Sequence, residues 1–230
     1  MIRRMLIILT LVLTAIIFAR LVLNYSEHQE LSRLGEYYAS EGPAELGAPN
    51  LVTAVVVTYR GLDTLGEVTV LFISAAGAGL LLRRRQKTIP EREDTRPASE
   101  IVVTATQLLV PIIFLFGVYV FVNGHLSPGG GFQGGAIVAA GSLLILLALP
   151  QAEMSHRLIS LTESLSGFSY VLVGLLGVLL AGGFLDNRIM PLGTYGTLFS
   201  AGAIPIIYTL VGLKVGSELS AVLDRFRERD

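Results

Sequence analysis

The chain has 230 residues, of which 52% are hydrophobic and 15% charged; its mean hydropathy is +0.66 and its net charge −1. A soluble domain carries about 25% charged residues, so an ordinary soluble globule is excluded, and without a basic excess no nucleic-acid partner is expected. Cysteine is absent, which excludes disulfides, thiolate metal sites, iron–sulfur clusters and cysteine nucleophiles. His28, His125 and His156 are scattered rather than clustered, so no bound metal and no cofactor are expected.

About 18 or more consecutive apolar residues suffice to cross a hydrocarbon core of about 30 Å as a helix. In chain order, the first such run is 5–23, behind Arg3 and Arg4; it reads as an uncleaved anchor, because the apolar stretch continues past Phe18 with no cleavage pattern after it. Residues 24–49 are polar and acidic, broken by Pro43, Gly47 and Pro49. The apolar segment 51–59 is too short to span; it suits an interfacial or re-entrant element, or the first half of a broken helix. A second span is predicted over 64–82. Residues 83–100, with mixed charges and two prolines, form the one clear boundary. Four further spans are predicted at 101–122, 133–149, 163–184 and 198–219, the last kinked at Pro205. The fold class is therefore all-α: a polytopic transmembrane protein of about six spans, arranged two plus four. The domains read as a two-span segment 1–88, a charged linker 89–100 and a four-span segment 101–230. Counting positive charges by side puts 13 of 17 with the termini, Lys214 among them, so both termini are expected in the cytoplasm.

Three features can carry chemistry. The first is the loop Pro128, Gly129, Gly130, Gly131, Phe132, Gln133, Gly134, Gly135. It contains a formal G-x-G-x-x-G, but a dinucleotide site needs a strand before it and a βαβ unit around it. A tight turn with close helix packing through small-xxx-small pairs is the stronger reading; direct contact with ions or water is the other. His125 beside it suits a proton relay or a histidine bonded to a free helix-end carbonyl. The second feature is Arg60, Asp63 and Glu67, spaced to share one helix face at the head of the second span. Ionisable groups at membrane depth face a bundle interior or an aqueous path, so Glu67 and Asp63 are candidate proton or cation ligands, with transient Na+ as the cation; the alternative is an exposed ion pair of little energy. The third is Lys214 in the last span, a pathway candidate that otherwise extends to the interface as lysines near helix ends do. Glu153 and Glu163 read as interface markers.

The string from Leu115 to Gly135, with Gly124-His125-Leu126-Ser127-Pro128-Gly129-Gly130-Gly131-Phe132-Gln133-Gly134-Gly135 at its core, resembles the signature of the B subunit of Mrp-type multisubunit sodium/proton antiporters, the MnhB family. The segment from Asn50 to Glu67 resembles the C-terminal part of the large A subunit of those antiporters, which stands alone as a small subunit in membrane-bound hydrogenases and sulfur-reducing complexes. Its Arg60-Gly61-Leu62-Asp63-Thr64-Leu65-Gly66-Glu67 core is intact, but Thr58 stands where that family carries an acidic residue. The resemblance implies a subunit without bond chemistry of its own, in the inner or plasma membrane of a prokaryote, embedded in the lipid bilayer among other membrane subunits. It implies Na+ and H+ as the ions moved, and a cation path using Asp63 and Glu67. A purely structural scaffold subunit of a respiratory complex is the rival reading. A stand-alone transporter is disfavoured, since no inverted repeat is evident.

Overall fold

The computed structural model describes residues 2–25, 30–85, 98–152 and 154–227. Most of the linker, Glu153 and the last three residues lie outside them, and so does His28. The chain divides into two units, Met1–Glu36 and Tyr37–Asp230. The first holds helix α1 (Ile2–Leu23), whose mean hydropathy of 2.8 over a spanning window reflects apolar side chains on every face. Helix α2 (Arg33–Ser40) runs over the division.

The second unit continues with α3 (Gly42–Leu46) and α4 (Leu51–Ala54), then a π-helical turn over Val55–Tyr59 and the long helix α5 (Gly61–Arg85). The short apolar segment is thus the first half of a broken helix. The break is at Arg60, whose backbone (φ −121°, ψ 32°) leaves the helical region. Four more long helices follow: α6 (Glu100–Val122), α7 (Gly131–Ala148), α8 (His156–Leu180) and α9 (Ile204–Arg227). Among the described residues no strand occurs, and α1, α5, α6, α7, α8 and α9 are the six helices long and apolar enough to cross a membrane.

Two boundaries differ from the sequence expectation. Helix α8 starts at His156 rather than near Glu163, because Ser155 caps it by accepting a hydrogen bond from the Leu158 amide. Helix α9 starts at Ile204 rather than near Leu198, because Ala201 (φ 65°) and Gly202 (φ 57°) take left-handed backbone just before it. Pro205 therefore occupies the first turn, where its missing N–H is not needed, and causes no kink within the helix.

Helix α9 is central and touches α5, α6, α7 and α8, while α7 is wedged between α6 and α9. The core forms around Ile204, Ile207, Val211 and Val215 of α9, with Val57, Val68 and Tyr170 packed on it. Glycines set the closest approaches. A Cβ on Gly134 would lie 2.6 Å from the Gly117 carbonyl oxygen of α6, and one on Gly135 would lie 2.8 Å from the Gly212 carbonyl oxygen of α9. Side-chain hydrogen bonds run between the first segment and the second in both directions. Asn50 donates from Nδ2 to the Gly124 and Ser127 carbonyls at 2.8 and 2.9 Å, Thr53 Oγ1 donates to the Gly124 carbonyl at 2.6 Å, and Asn187 Nδ2 donates to the Leu46 and Ala201 carbonyls at 2.9 Å.

Candidate functional site

The predicted group at the head of α5 is only partly assembled. Arg60 Nε donates to Asp63 Oδ2 at 2.6 Å, and both side chains are more than half exposed. Pairs of this kind contribute about 0–1 kcal/mol. Glu67 stands one turn further on the same exposed rim and does not join the pair; the buried face of α5 carries Gly61, Thr64, Val68 and Ala75 instead. Thr64 Oγ1 donates to the Val56 carbonyl at 2.8 Å, which locks α5 onto the π-helical turn. Thr58, in that turn, has a buried hydroxyl with no hydrogen-bond partner among the described residues.

A second constellation lies deeper. Lys214 is 8% exposed and Glu218, one turn later on α9, is 1% exposed. The Lys214 ammonium donates to Glu218 and, at 3.4 Å, to Glu163 Oε1 of α8. It also lies 4.8 Å from the centroid of the Phe72 ring of α5, within cation–π range. Gly167 of α8 leaves room for the lysine stem, which a Cβ there would approach to 3.2 Å. At 1.5 Å per residue, Lys214 sits about 15 Å from one end of α9 and about 20 Å from the other. That corrects the expectation of a lysine extending to the interface, and it removes Lys214 from the count of charges on either side. Glu163, read as an interface marker, is likewise seven residues inside α8. Sequence reasoning passed over Glu163 and missed Glu218. The available signal was the Lys214/Glu218 spacing of four within an apolar helix, which puts both on one face.

His125 and the glycine loop occupy the opposite end of the bundle from the α9 C-terminus. His125 is fully buried; Nε2 donates to the Thr197 carbonyl at 3.4 Å and Nδ1 accepts no hydrogen bond among the described residues. Burial pushes its pKa down, partly offset by backbone hydrogen bonds. The structure thus joins His125 to the Thr197 carbonyl, which also accepts from the Ser200 amide at 3.1 Å and is not a free helix-end carbonyl, and not to Asp63, Glu67 or Lys214. Pro128 is exposed at the loop tip, Gly129 packs on Val120, Gly130 and Gly131 on Tyr208, and Gly134 and Gly135 on α6 and α9. At this end Glu45 accepts hydrogen bonds from Tyr59 at 2.5 Å and Tyr37 at 3.1 Å. Burial and then the Glu45 contact push the Tyr59 phenol pKa up. The described residues contain no group of three or more histidine or acidic side chains suited to hold a metal ion.

A family model described as a domain related to the MnhB subunit of Na+/H+ antiporters matches residues 101–221, and a second, for the MbhE component of MBH, matches residues 2–107. An uncharacterized protein of Methanocaldococcus jannaschii is 32% identical over 197 residues, covering 75% of this chain and 74% of that protein. Among solved structures, a chain of the membrane-bound sulfane sulfur reductase, an archaeal respiratory membrane complex, is similar at 44% identity and a TM-score of 0.83, with 98% of each chain covered. A chain of the Mrp complex from Dietzia sp. is similar at 26% identity and a TM-score of 0.79; 99% of this chain is covered, but only 26% of that one.

Proposed function

The chain belongs to the family of domains related to the MnhB subunit of Na+/H+ antiporters, and from that premise we propose that it is a subunit of a cation/proton-translocating module, contributing both to the cation path and to assembly. It is a multi-pass prokaryotic membrane protein of the antiporter-subunit type. Its partners in this reading are the neighbouring membrane subunits of an Mrp-type antiporter, or of a respiratory complex that contains such a module, and the ions are Na+ and H+. The two segments 1–88 and 101–230 act as two adjacent small subunits joined through 89–100.

One observation carries the reading. Ionisable side chains stand inside helices that are otherwise apolar enough to span a bilayer: Asp63 and Glu67 on α5, Glu163 on α8, Lys214 and Glu218 on α9. Such groups are costly in lipid and persist where they line a path or meet a partner. Asp63 and Glu67 face outward from this chain, so a neighbouring subunit covers them and completes the cation path. Arg60 limits the charge on Asp63 and leaves Glu67 as the main carboxylate of that path. The test is a Glu67→Gln change in the assembled complex. Loss of sodium-dependent transport with assembly intact is the expected outcome, and full transport removes Glu67 from the path. The scaffold reading has its own support in the glycine contacts of α7, which bring three helices to backbone contact.

A further inference from the structure

We propose that Glu218 is a proton-exchange site in the interior of the bundle, with Lys214 as a switch between Glu218 and Glu163. The site stands apart from Asp63 and Glu67 and survives the failure of the path assigned to them.

Two carboxylates share one ammonium, so the cluster is neutral only when it takes one further positive charge. In the interior of a helix bundle an uncompensated charge costs several kcal/mol. The structure indicates where the extra charge goes. Glu218 Oε1 meets the Lys214 ammonium, whereas Oε2 is buried and accepts no hydrogen bond among the described residues.

No other charged group among the described residues reaches the cluster at its own level. From α8, only Glu163 does; His156 and Arg157 lie seven and six residues to one side and Tyr170 seven to the other, about 10 Å along the axis. From α5 the neighbour is the Phe72 ring, with Glu67 more than a turn away and Asp63 beyond it. Helix α7 has no charged residue, and its Ser142 accepts a hydrogen bond from Ser220. Glu100 and Tyr119 sit towards the two ends of α6, and on α9 itself Tyr208, Asp224 and Arg225 are six or more residues from Lys214 or Glu218.

The same surroundings favour a proton over a metal cation. Stripping a sodium ion of its water requires a shell of several oxygens. Here both carboxylates are already engaged by an ammonium, and an aromatic ring closes a further side.

The charged seam between α8 and α9 continues to one end of the bundle. There His156 Nδ1 lies 3.7 Å from Asp224 Oδ2, and the Asp224 side chain is 1% exposed. Asp224 is six residues from Glu218, about 9 Å along the axis. A cleft of about 460 Å³ opens among α6, α7, α8 and α9, walled in part by Thr162 and Ser217, the chain neighbours of Glu163 and Glu218. In the exchange step a proton arriving from that end binds Glu218 Oε2 and converts the carboxylate to a neutral carboxylic acid. The Lys214 ammonium then pairs with Glu163 alone, already 3.4 Å away. Release of the proton restores the first arrangement, and no other bond changes.

Infrared difference spectroscopy of the full chain in lipid nanodiscs, recorded across a pH titration, tests this. A carbonyl stretch of a buried protonated carboxylic acid is expected. Glu218→Gln should abolish it, Glu218→Asp should shift its frequency, and Glu163→Asp should leave the frequency unchanged. Lys214→Met, which leaves two carboxylates without an ammonium, should intensify the band. Glu67→Gln should not alter it, so the result is independent of the transport experiment. The proposal is overturned if no such band titrates in the wild-type chain, if it persists in Glu218→Gln, if Glu163→Asp moves it, or if adding sodium at constant pH removes it.

Discussion

Asn50 does more for the fold than any charged residue at the predicted site. Its amide nitrogen donates to two carbonyls of the glycine loop, and its side-chain oxygen accepts from the Thr53 amide to cap α4. Asn50→Ala removes the cap and leaves the Ser127 carbonyl without that donor, for a cost of about 1–3 kcal/mol. A lower melting temperature of the purified chain in detergent is the expected result. His125 makes a prediction with a definite sign. Burial holds its folded pKa below the ordinary value, so the folded state binds fewer protons than the unfolded one. Its contribution is then complete above the unfolded pKa of about 6.5 and is lost as the pH falls below it. Thermal stability should decline on acidification through that range, and His125→Gln should flatten the decline. The residue types were legible in the sequence. Their partners were not, because Asn50, His125 and Lys214 all bond to elements more than 50 positions away.

The helices owe their existence to hydropathy and their packing to a few glycines. Helix α7 approaches α6 at Gly134 and α9 at Gly135, so either position rejects a side chain. Gly134→Ala would place Cβ 2.9 Å from Phe121 as well as against the Gly117 carbonyl, an overpacking expected to cost about 1–3 kcal/mol. Gly66 is the contrast, since a Cβ there meets nothing within 4 Å. Gly66→Ala should leave the isolated chain at least as stable, because alanine gains about 1 kcal/mol over glycine inside a helix. Melting curves of the two variants check the pair. If Gly66→Ala instead weakens an assembled complex, the rim of α5 that bears Asp63 and Glu67 is covered there by a neighbour. The small-residue spacing of the loop was readable as packing. Which helix each glycine meets was not, and neither were the starts of α8 and α9. Those depend on the Ser155 cap and on the left-handed backbone at Ala201 and Gly202, local events that a hydropathy window averages away.

Within the second unit, α5 and α9 run parallel, with Phe72 beside Lys214 and Ala75 beside Arg225, while α8 runs against them. Arg157 and Arg225 therefore gather at one end, and Arg60 and Arg188 at the other. The α9 C-terminus lies at the first end, the side to which the sequence assigns the excess of basic residues, so we expect that end in the cytoplasm. The absence of cysteine makes this simple to measure. An impermeant thiol reagent applied to intact cells should label Tyr195→Cys, in the connection before α9, and should label Gln151→Cys, in the connection before α8, only after permeabilisation. The opposite pattern would invert the orientation.

Apolar run length determined by itself that this is an all-α chain with six helices able to span a bilayer, because a helix in lipid must satisfy its own backbone and needs a minimum apolar length. The glycine string and the Asn50–Glu67 segment were equally readable in one dimension, and the family match rests on the same chain. Only the tertiary structure decided which ionisable residues meet. It left Arg60 and Asp63 paired on an exposed rim with Glu67 outside the pair, and it brought Lys214, Glu218 and Glu163 together inside the bundle. The reason is geometric. A spacing of three or four along one helix selects a face, but the antiparallel register of α8 on α9 decides what that face meets, and that register sets Gly167 against the Lys214 stem and Glu163 beside its ammonium.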